Sequence, residues 1–171
     1  QIVYWREFLS DVFMEMEPSI EGGGSFNAAV DTGEFGNLTV ATISAQRHKV
    51  RRTQSNIANS NSDAILFHYQ ISGKAVFYQG EAEETILPGD IACIDTAEPF
   101  ELDLIDDFRC ITVKAPRKLF VSLLGSGPLF PKPRIRRNSE YGAILGEYFK
   151  ISRRHIGIAE DEVEASLSAQ F

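Results

Sequence analysis

The chain has 171 residues, of which 43% are hydrophobic and 24% are charged, the composition of one globular domain with a sizeable core. No apolar run approaches the roughly 18 to 20 residues that a membrane-spanning helix requires. The net charge of −7, from 17 basic and 24 acidic residues, argues against a nucleic-acid-binding surface on this chain as a whole. The first residue is Gln rather than Met, so we expect the chain to be part of a longer protein.

The N-terminal segment is predicted to form an amphipathic helix. Its apolar residues recur at spacings of three and four, at Trp5, Phe8, Leu9, Val12, Phe13 and Met16. The segment "EPSIEGGGSF", with one Pro and three Gly, is expected to end this helix.

From Leu38 onward the pattern changes to short segments rich in Ile, Val, Phe, Tyr and Thr. These segments are "LTVATISAQ", "KVRRTQ", "AILFHYQISG", "KAVFYQG", "EETILPG", "DIACID", "PFELDL" and "RCITVKA". Many short strands at close, regular intervals indicate an all-β sandwich or barrel. We therefore predict a mainly β, jelly-roll barrel preceded by one helix and followed by helices.

Helical patterns return after the strands. "PRKLFVSLLG" is predicted to be a short helix, and a Pro- and Arg-rich connector follows it. Ser139 is then placed to cap a helix whose apolar residues are Tyr141, Ile144, Leu145 and Tyr148. A second apolar set, at Val163, Leu167 and Phe171, predicts another helix. The expected organisation is a barrel with its N-terminal helix over 1–115, the short helix and connector over 116–138, and a helical dimerisation segment over 139–171.

The run "GKAVFYQGEAEETILPGDIACID" resembles the cupin core, in which a glycine turn and a Pro-Gly-Asp turn connect short strands. Catalytic cupins usually place two His and a Glu before the first glycine turn and another His after the Pro-Gly turn. Here the corresponding segments read "SNIANSNSDAILF" and "DTAEPFEL", which supply no ligand set. His68 would be a single donor, His48 and His155 are expected in exposed basic surroundings, and a divalent metal needs three or four donors. We therefore predict no metal and no cofactor.

No catalytic machinery is evident either. The sequence has no Gly-x-Ser-x-Gly elbow, no phosphate-binding glycine loop and no Cys-x-x-Cys pair, so no catalytic residue is assigned. Cys93 and Cys110 lie in apolar strand-like runs and are expected to be buried free thiols.

Several segments in one order carry a more specific resemblance. They are "WREFLSDVF", "VRRTQ", "ISGKAVFYQGEAEETILPGDIACIDTAEPFELD" and "FRCITVKAPRKLF". This order resembles the N-terminal sensor domain of AraC/XylS-type transcriptional regulators, particularly the branch with an Asp-Thr-x-x-Pro-Tyr/Phe segment after the Pro-Gly-Asp turn. The resemblance implies a cupin-like barrel that binds a small effector, helices that mediate dimerisation, and a cytoplasmic bacterial regulator. It also implies that DNA is read by a pair of helix-turn-helix units that this chain lacks.

Strand alternation suggests which residues meet an effector. In "PFELDL", the apolar set of Phe100, Leu102 and Leu104 is expected to point inward, with Glu101 and Asp103 outward. Arg109, which shares a face with Ile111, is expected inward at the barrel mouth. One of Arg51 and Arg52 should point inward, because they occupy adjacent positions. The candidate ligand-binding residues are Arg51, Arg52, His68, Tyr69, Tyr78, Phe100, Arg109 and Ile111. For "ILFHYQI", alternation alone does not decide whether the face of His68 or that of Tyr69 lines the interior.

An inward arginine needs a partner, which is either an anionic ligand or, as is more common for a single Arg, an internal Asp or Glu. If the partner is the ligand, the effector is expected to be an aromatic or short aliphatic acid. The helix bearing Tyr141, Ile144, Leu145 and Tyr148 is expected to form a homodimer interface. Two alternatives remain open from the sequence: a small metal-free cupin enzyme, such as an isomerase or lyase, and an oligomerisation module whose barrel is filled by side chains.

Overall fold

In the computed structural model, residues 2–22, 25–119 and 133–152 are described. The helices are α1 (Ile2–Val12), α2 (Gln54–Ala58) and a helical segment over residues 140–152. The strands are β1 (Glu17–Ser19), β2 (Ala28–Phe35), β3 (Leu38–Ala45), β4 (His48–Arg52), β5 (Ala64–Ser72), β6 (Ala75–Gln79), β7 (Ala82–Ile86), β8 (Ile91–Asp95), β9 (Phe100–Leu104), β10 (Phe108–Pro116) and β11 (Arg134–Ile135).

The strands form two antiparallel sheets. One sheet has five strands in the order β1-β4-β9-β6-β7, and the other has six in the order β11-β8-β5-β10-β3-β2. Neighbours in these sheets are mostly not neighbours in sequence, as in the pairing of β10 with both β3 and β5. Two facing antiparallel sheets with such crossovers make a cupin-like jelly roll, and the predicted mainly β fold class is confirmed.

The first of two apolar clusters, the inner core, lies between the sheets. It includes Leu66 and Ile94 from the six-stranded sheet and Phe77 and Leu102 from the five-stranded sheet. Helix α1 covers one end of it, with its buried Trp5, and the cluster continues through Leu9, Phe13, Met14 and Met16. The amphipathic N-terminal helix is therefore confirmed, and its apolar face completes the barrel interior.

The second cluster, the outer core, lies between the outside of the six-stranded sheet and the 140–152 helix. Its buried members are Val40, Tyr69, Ile91, Cys93, Ile111, Val113 and Phe149, and Leu145 packs against them. The ring of Phe149 stacks on Tyr69 with centroids 5.6 Å apart. Gly146 permits this approach, because a Cβ there would already lie 3.4 Å from the Tyr69 ring.

The 140–152 helix begins as the sequence predicts, with the Ser139 hydroxyl accepting a hydrogen bond from the Gly142 amide at 3.1 Å. The four apolar residues differ in their surroundings. Leu145 lies at the edge of the set and packs against the outer core, whereas Tyr141, Ile144 and Tyr148 are exposed. The sheet surface therefore covers only one edge of this apolar face.

Three strands were not anticipated from the sequence. Strand β2 precedes Leu38, and among the described strands β3 is its one partner. As an edge strand it lacks the alternation of buried residues that marks a core strand. Strand β1 contains Pro18, which is tolerated because β1 is also an edge strand. Strand β11 lies within the connector and pairs with β8.

Two expectations fall largely outside the described residues. Residues 117–119 begin the short helix expected in "PRKLFVSLLG", and the rest of that segment is not described. The helix expected around Val163, Leu167 and Phe171 also lies outside. Within the described ranges, no helix is long and apolar enough to cross a membrane.

Candidate functional site

The barrel interior contains a cavity of about 50 Å³. Most of its lining is apolar and comes from β3, β4, β5, β8, β9 and β10, with Phe100, Leu102 and Leu104 of β9 all facing it. Their alternation along β9 is as predicted, since Glu101 and Asp103 point outward to pair with Arg51 and Lys49. The cavity is therefore a small void within the packed inner core.

Helix α1 and the residues after it form one wall of this cavity. Trp5, Leu9, Phe13 and Met16 all line it. The Trp5 indole N–H donates a hydrogen bond to Nε2 of His48 at 3.0 Å. This bond ties the helix to strand β4 at the edge of the cavity.

His48 is buried, so the expectation that it lies in an exposed basic region is wrong. Its Nδ1 lies 2.8 Å from the Gln46 carbonyl oxygen, which can only accept, so Nδ1 carries the proton and Nε2 is free to accept from Trp5. Burial lowers the pKa of His48. The imidazole is therefore neutral and serves as a fixed acceptor for the helix.

A chain of polar side chains runs along the six-stranded sheet beside the cavity. Nε2 of His68 lies 2.7 Å from Oε1 of Gln70, and Nε2 of Gln70 donates to the Ser72 carbonyl at 2.9 Å. On the other side of the ring, the Thr112 hydroxyl lies 3.4 Å from Nδ1 of His68, and Sγ of Cys110 lies 3.7 Å from that hydroxyl. His68, Thr112 and Cys110 line the cavity directly.

The His68 imidazole is neutral. Burial lowers its pKa to about 4, because the charged ring would lose its hydration inside the barrel. Within the described part of the chain, every buried side-chain nitrogen and oxygen has a hydrogen-bond partner. The polar chain is thus satisfied without any buried charge.

Across the described ranges, no three residues among His, Cys, Asp and Glu are grouped so that they could hold a metal ion. His68 is paired with an amide and a hydroxyl rather than with other ligands. Cys93 and Cys110 are free and buried, as predicted, and burial raises the pKa of each thiol to about 12.

The Pro-Gly-Asp turn has a structural role. The buried Asp90 carboxylate accepts hydrogen bonds from the amides of Leu87 and Arg137 at 3.0 and 2.9 Å. Its Oδ2 also pairs with Nη2 of Arg134 at 2.8 Å. The turn is packed tightly against this connector, since a Cβ on Gly89 would lie 2.9 Å from the Arg137 side chain. Asp90 therefore joins the barrel to the segment that leads into the 140–152 helix.

Comparison with known proteins assigns the chain to a family. The model of the AraC-binding-like domain matches residues 5–171. The chain belongs to this family.

Two curated proteins are similar to this chain. This AraC-binding-like domain is 27% identical over 142 residues to an uncharacterized protein in the nit 5′ region of Bacillus sp. (strain OxB-1), covering 83% of this chain and 51% of that protein. It is 28% identical over 121 residues to the transcriptional activator NphR of Rhodococcus sp., covering 70% of this chain and 36% of NphR. The chain therefore spans about half or less of the length of these relatives.

A solved structure shows the same fold. The AraC-like transcriptional activator CuxR superposes with a TM-score of 0.79 at 17% identity, covering 92% of this chain and 57% of that one. The similarity supports the jelly roll with its flanking helices.

Of the arginines in this AraC-binding-like domain, Arg51 and Arg52 alternate as expected. Arg51 points outward and its Nε donates to Glu101 at 2.8 Å, whereas Arg52 is buried. The Arg52 guanidinium donates to the carbonyl oxygens of Thr96 and Glu15 at 3.0 and 2.7 Å. Its charge is thus used to hold the backbone, and Arg52 does not line the cavity.

The expectation that Arg109 points into the barrel is wrong. Arg109 is exposed, and the cavity-lining residues of β10 are Phe108, Cys110 and Thr112. Arg109 does share a face with Ile111, as alternation requires, but Ile111 is apolar because that face meets the outer core. Because both faces of β10 carry buried apolar residues, hydrophobicity did not show which face lines the barrel interior.

The aromatic candidates are separated. Tyr69 belongs to the outer core, so in β5 the face of His68, not that of Tyr69, lines the interior. Tyr78 is exposed and lines an open surface groove with Arg51 and Arg52. Phe100 lines both that groove and the interior cavity. The structure brings together only His68 and Phe100 from the predicted set at the cavity.

Sequence reasoning did not single out Gln70, Thr112, Cys110 or Asp90 as site residues. The sequence could have identified Gln70, because it lies two positions after His68 on the same strand face. It could not have identified Thr112, because the position of Thr112 opposite His68 depends on the register between β5 and β10.

Proposed function

We propose that this chain is the effector-sensing and dimerisation domain of a cytoplasmic bacterial transcriptional regulator of the AraC type. The observation that carries the proposal is the family match over residues 5–171, combined with a polar chain beside a cavity inside the barrel. Membership of this family points to regulation rather than catalysis. DNA binding is proposed for a helix-turn-helix region of the full-length protein outside this chain.

Effector binding is proposed for the barrel interior. The cavity combines a mainly apolar lining with a few ordered polar groups, which is the usual composition of small-molecule sites. A ligand that binds only the folded domain at 100 times its Kd would add about 2.7 kcal/mol to the free energy of unfolding. A thermal-shift screen of small organic molecules on this chain tests the proposal, with NMR shifts of cavity residues as the measure of location.

A second candidate is an oligomerisation module without an effector. The observation that favours it is the small size of the cavity, about 50 Å³, because side chains fill the rest of the barrel interior. If a broad screen finds no molecule that perturbs the cavity residues, this second candidate replaces effector sensing.

Dimerisation is proposed for the exposed side of the 140–152 helix. Tyr141, Ile144, Tyr148 and Ile151 lie at helical spacing and are 74%, 70%, 50% and 51% exposed. Such a continuous apolar stripe on a terminal helix is typical of a partner surface. A two-fold dimer would suit a regulator that reads paired DNA half-sites. Leu145, which packs on the sheet, would support this helix rather than contact the partner.

Two neighbouring substitutions provide a matched test. Ile144→Glu places a charge in the stripe, whereas Ala143→Glu adds the same charge to an exposed position on another side of the same helix. Sedimentation equilibrium should show a dimer for the wild type and for Ala143→Glu, and a monomer for Ile144→Glu. Equal association by the two variants, or a monomeric wild type at high micromolar concentration, would contradict the proposed interface.

A further inference from the structure

Among the described residues, the lining of the cavity contains no charged side chain. Its polar members are two imidazoles, one hydroxyl, one thiol and one indole N–H, and the remaining described lining residues are apolar. Both imidazoles are kept neutral by burial, which lowers their pKa values. An ionised ligand would lose its hydration here without meeting a countercharge, and that is strongly unfavourable.

The two arginines that the sequence suggested as inward-pointing do not change this. Arg52 directs its hydrogen bonds to the carbonyl oxygens of Thr96 and Glu15, and it is absent from the lining. Arg109 is exposed on the outside of the six-stranded sheet. The sequence-based preference for an acid as effector rested on an inward Arg109 or on the inward one of Arg51 and Arg52. Arg109 and Arg51 point outward, and the buried Arg52 is bonded to backbone carbonyls.

The hydrogen bonds of the polar chain have one direction. The Gln70 amide nitrogen is committed to the Ser72 carbonyl, so its oxygen faces His68 and Nε2 of that ring must carry the proton. Nδ1 of His68 is then an acceptor, and the Thr112 hydroxyl hydrogen points toward it. The lone pairs of the Thr112 oxygen face Cys110, whose thiol at 3.7 Å is a weak donor.

This direction determines what the cavity can offer a ligand. The strong donors at its edge are already used, since the Trp5 N–H bonds to His48 and the His68 N–H bonds to Gln70. The Thr112 oxygen retains acceptor capacity. A ligand that donates a hydrogen bond therefore fits, whereas a ligand that only accepts finds no free strong donor among the described lining residues.

We infer that the effector of this domain is an uncharged, mainly apolar molecule that donates one hydrogen bond, from a hydroxyl or amide group, to Oγ1 of Thr112. The inference rests on the proposed effector-sensing function and specifies the chemistry of the same site. It replaces the carboxylic acid expected from the sequence.

The size of the cavity adds a condition. Its 50 Å³ is well below the roughly 150 Å³ of an engineered apolar cavity that binds benzene. A ring-sized effector would therefore have to displace lining side chains. The wall formed by α1 provides the reporter, because Trp5 is the single tryptophan of the chain and lines the cavity.

Three probes with one ring and different polar groups test the inference: benzyl alcohol, toluene and benzoate. Binding to this chain would be followed by Trp5 fluorescence and by NMR shifts of the His68 ring and the Ile94 methyl groups. One neutral hydrogen bond contributes a net factor of about 2- to 12-fold in affinity, so benzyl alcohol should bind more tightly than toluene by that factor. Benzoate should bind at least about tenfold more weakly than benzyl alcohol.

The variant Thr112→Val removes the hydroxyl at nearly constant volume, and Thr112→Ser retains it as the matched control. Thr112→Val should abolish the advantage of benzyl alcohol over toluene while toluene still binds, and Thr112→Ser should preserve that advantage. Toluene binding also shows that the variant is folded. An unchanged advantage in Thr112→Val would overturn the assignment of Thr112.

The remaining outcomes separate this inference from the proposed function. If benzoate binds more tightly than benzyl alcohol and shifts the His68 resonances, the inference is wrong although the barrel is still an effector site. If no probe shifts the His68 or Ile94 resonances, and the wider screen also fails, both the inference and the effector-sensing function are rejected.

Discussion

The inner and outer cores of this domain bury similar side chains but differ in their surroundings. The inner core lies between two sheets under α1, and it includes a polar chain and a small cavity. The outer core lies between one sheet and one helix, and the opposite side of that helix is an exposed apolar stripe. Strands β3, β5, β8 and β10 contribute to both, with alternate residues on either face. The same four strands thus connect a proposed sensing site with a proposed partner surface.

The difference suggests that the two cores have unequal roles in stability. An inner-core side chain is surrounded by strands that cannot move independently, whereas an outer-core side chain is covered by a helix that can separate locally from the sheet.

The largest effect is expected from matched Phe substitutions in the two cores. Phe77→Ala would leave a cavity between the sheets and lower the free energy of unfolding by about 3–5 kcal/mol. Phe149→Ala should cost less, about 1.5–3 kcal/mol, because the helix can readjust on the sheet surface. Urea unfolding followed by circular dichroism would measure both. Equal losses would show that the helix belongs to the same cooperative unit as the barrel.

The pH dependence of stability should reflect the neutral His68 of the inner core. Its pKa is lowered to about 4 in the folded domain, whereas an unfolded His has a pKa of about 6.5. The unfolded chain therefore binds a proton in this interval and the folded domain does not. Stability should be fully present above pH 6.5 and fall by about 3 kcal/mol as the pH decreases to 4.

His68→Gln is the control for this interval. It should remove most of the slope between pH 6.5 and 4, leaving the smaller dependence expected from His48, whose pKa burial also lowers. A slope that is the same in the variant would assign the titration to other groups.

An intermediate effect is expected at the link between the two regions. Asp90→Asn keeps the shape of the turn but removes the charge paired with Arg134, whose side chain is only 15% exposed. We expect a loss of about 2 kcal/mol, below the value for a fully buried pair because Arg134 is partly hydrated. Amide exchange should become faster in β11 and in the first turn of the 140–152 helix.

Glu101→Gln provides the comparison for this prediction, because it removes the carboxylate from the exposed pair with Arg51. Its effect should be much smaller than that of Asp90→Asn, since solvent screens exposed pairs. If the two variants lose the same stability, Asp90 has no special role in the link.

The smallest expected effect is a difference in the modification rates of the two thiols. Cys93 belongs to the outer core and Cys110 to the inner core, and both are buried with pKa values raised to about 12. Local separation of the helix would uncover Cys93 alone. If the free energy of the opening that exposes Cys93 is about 1.4 kcal/mol lower than that of the opening that exposes Cys110, Cys93 should react about tenfold faster. Alkylation followed by mass spectrometry measures both rates, and Phe149→Ala should accelerate only Cys93.

The sequence by itself determined the fold class, the amphipathic N-terminal helix and the Ser139 cap, because each depends on local spacing and capping chemistry. It also determined the inward set of Phe100, Leu102 and Leu104, since β9 has polar residues on its other face. Alternation of this kind is informative when only one face of a strand is buried.

Only the tertiary structure decided which faces of β5 and β10 line the barrel. Both faces of these strands are buried, one against the inner core and one under the helix, so the side-chain pattern was compatible with either orientation. The placement of Arg109 outside, the pairing of Thr112 with His68 and the link from Asp90 to Arg134 all depend on contacts between residues distant in sequence. Such contacts are set by strand register and chain topology, which local composition does not encode.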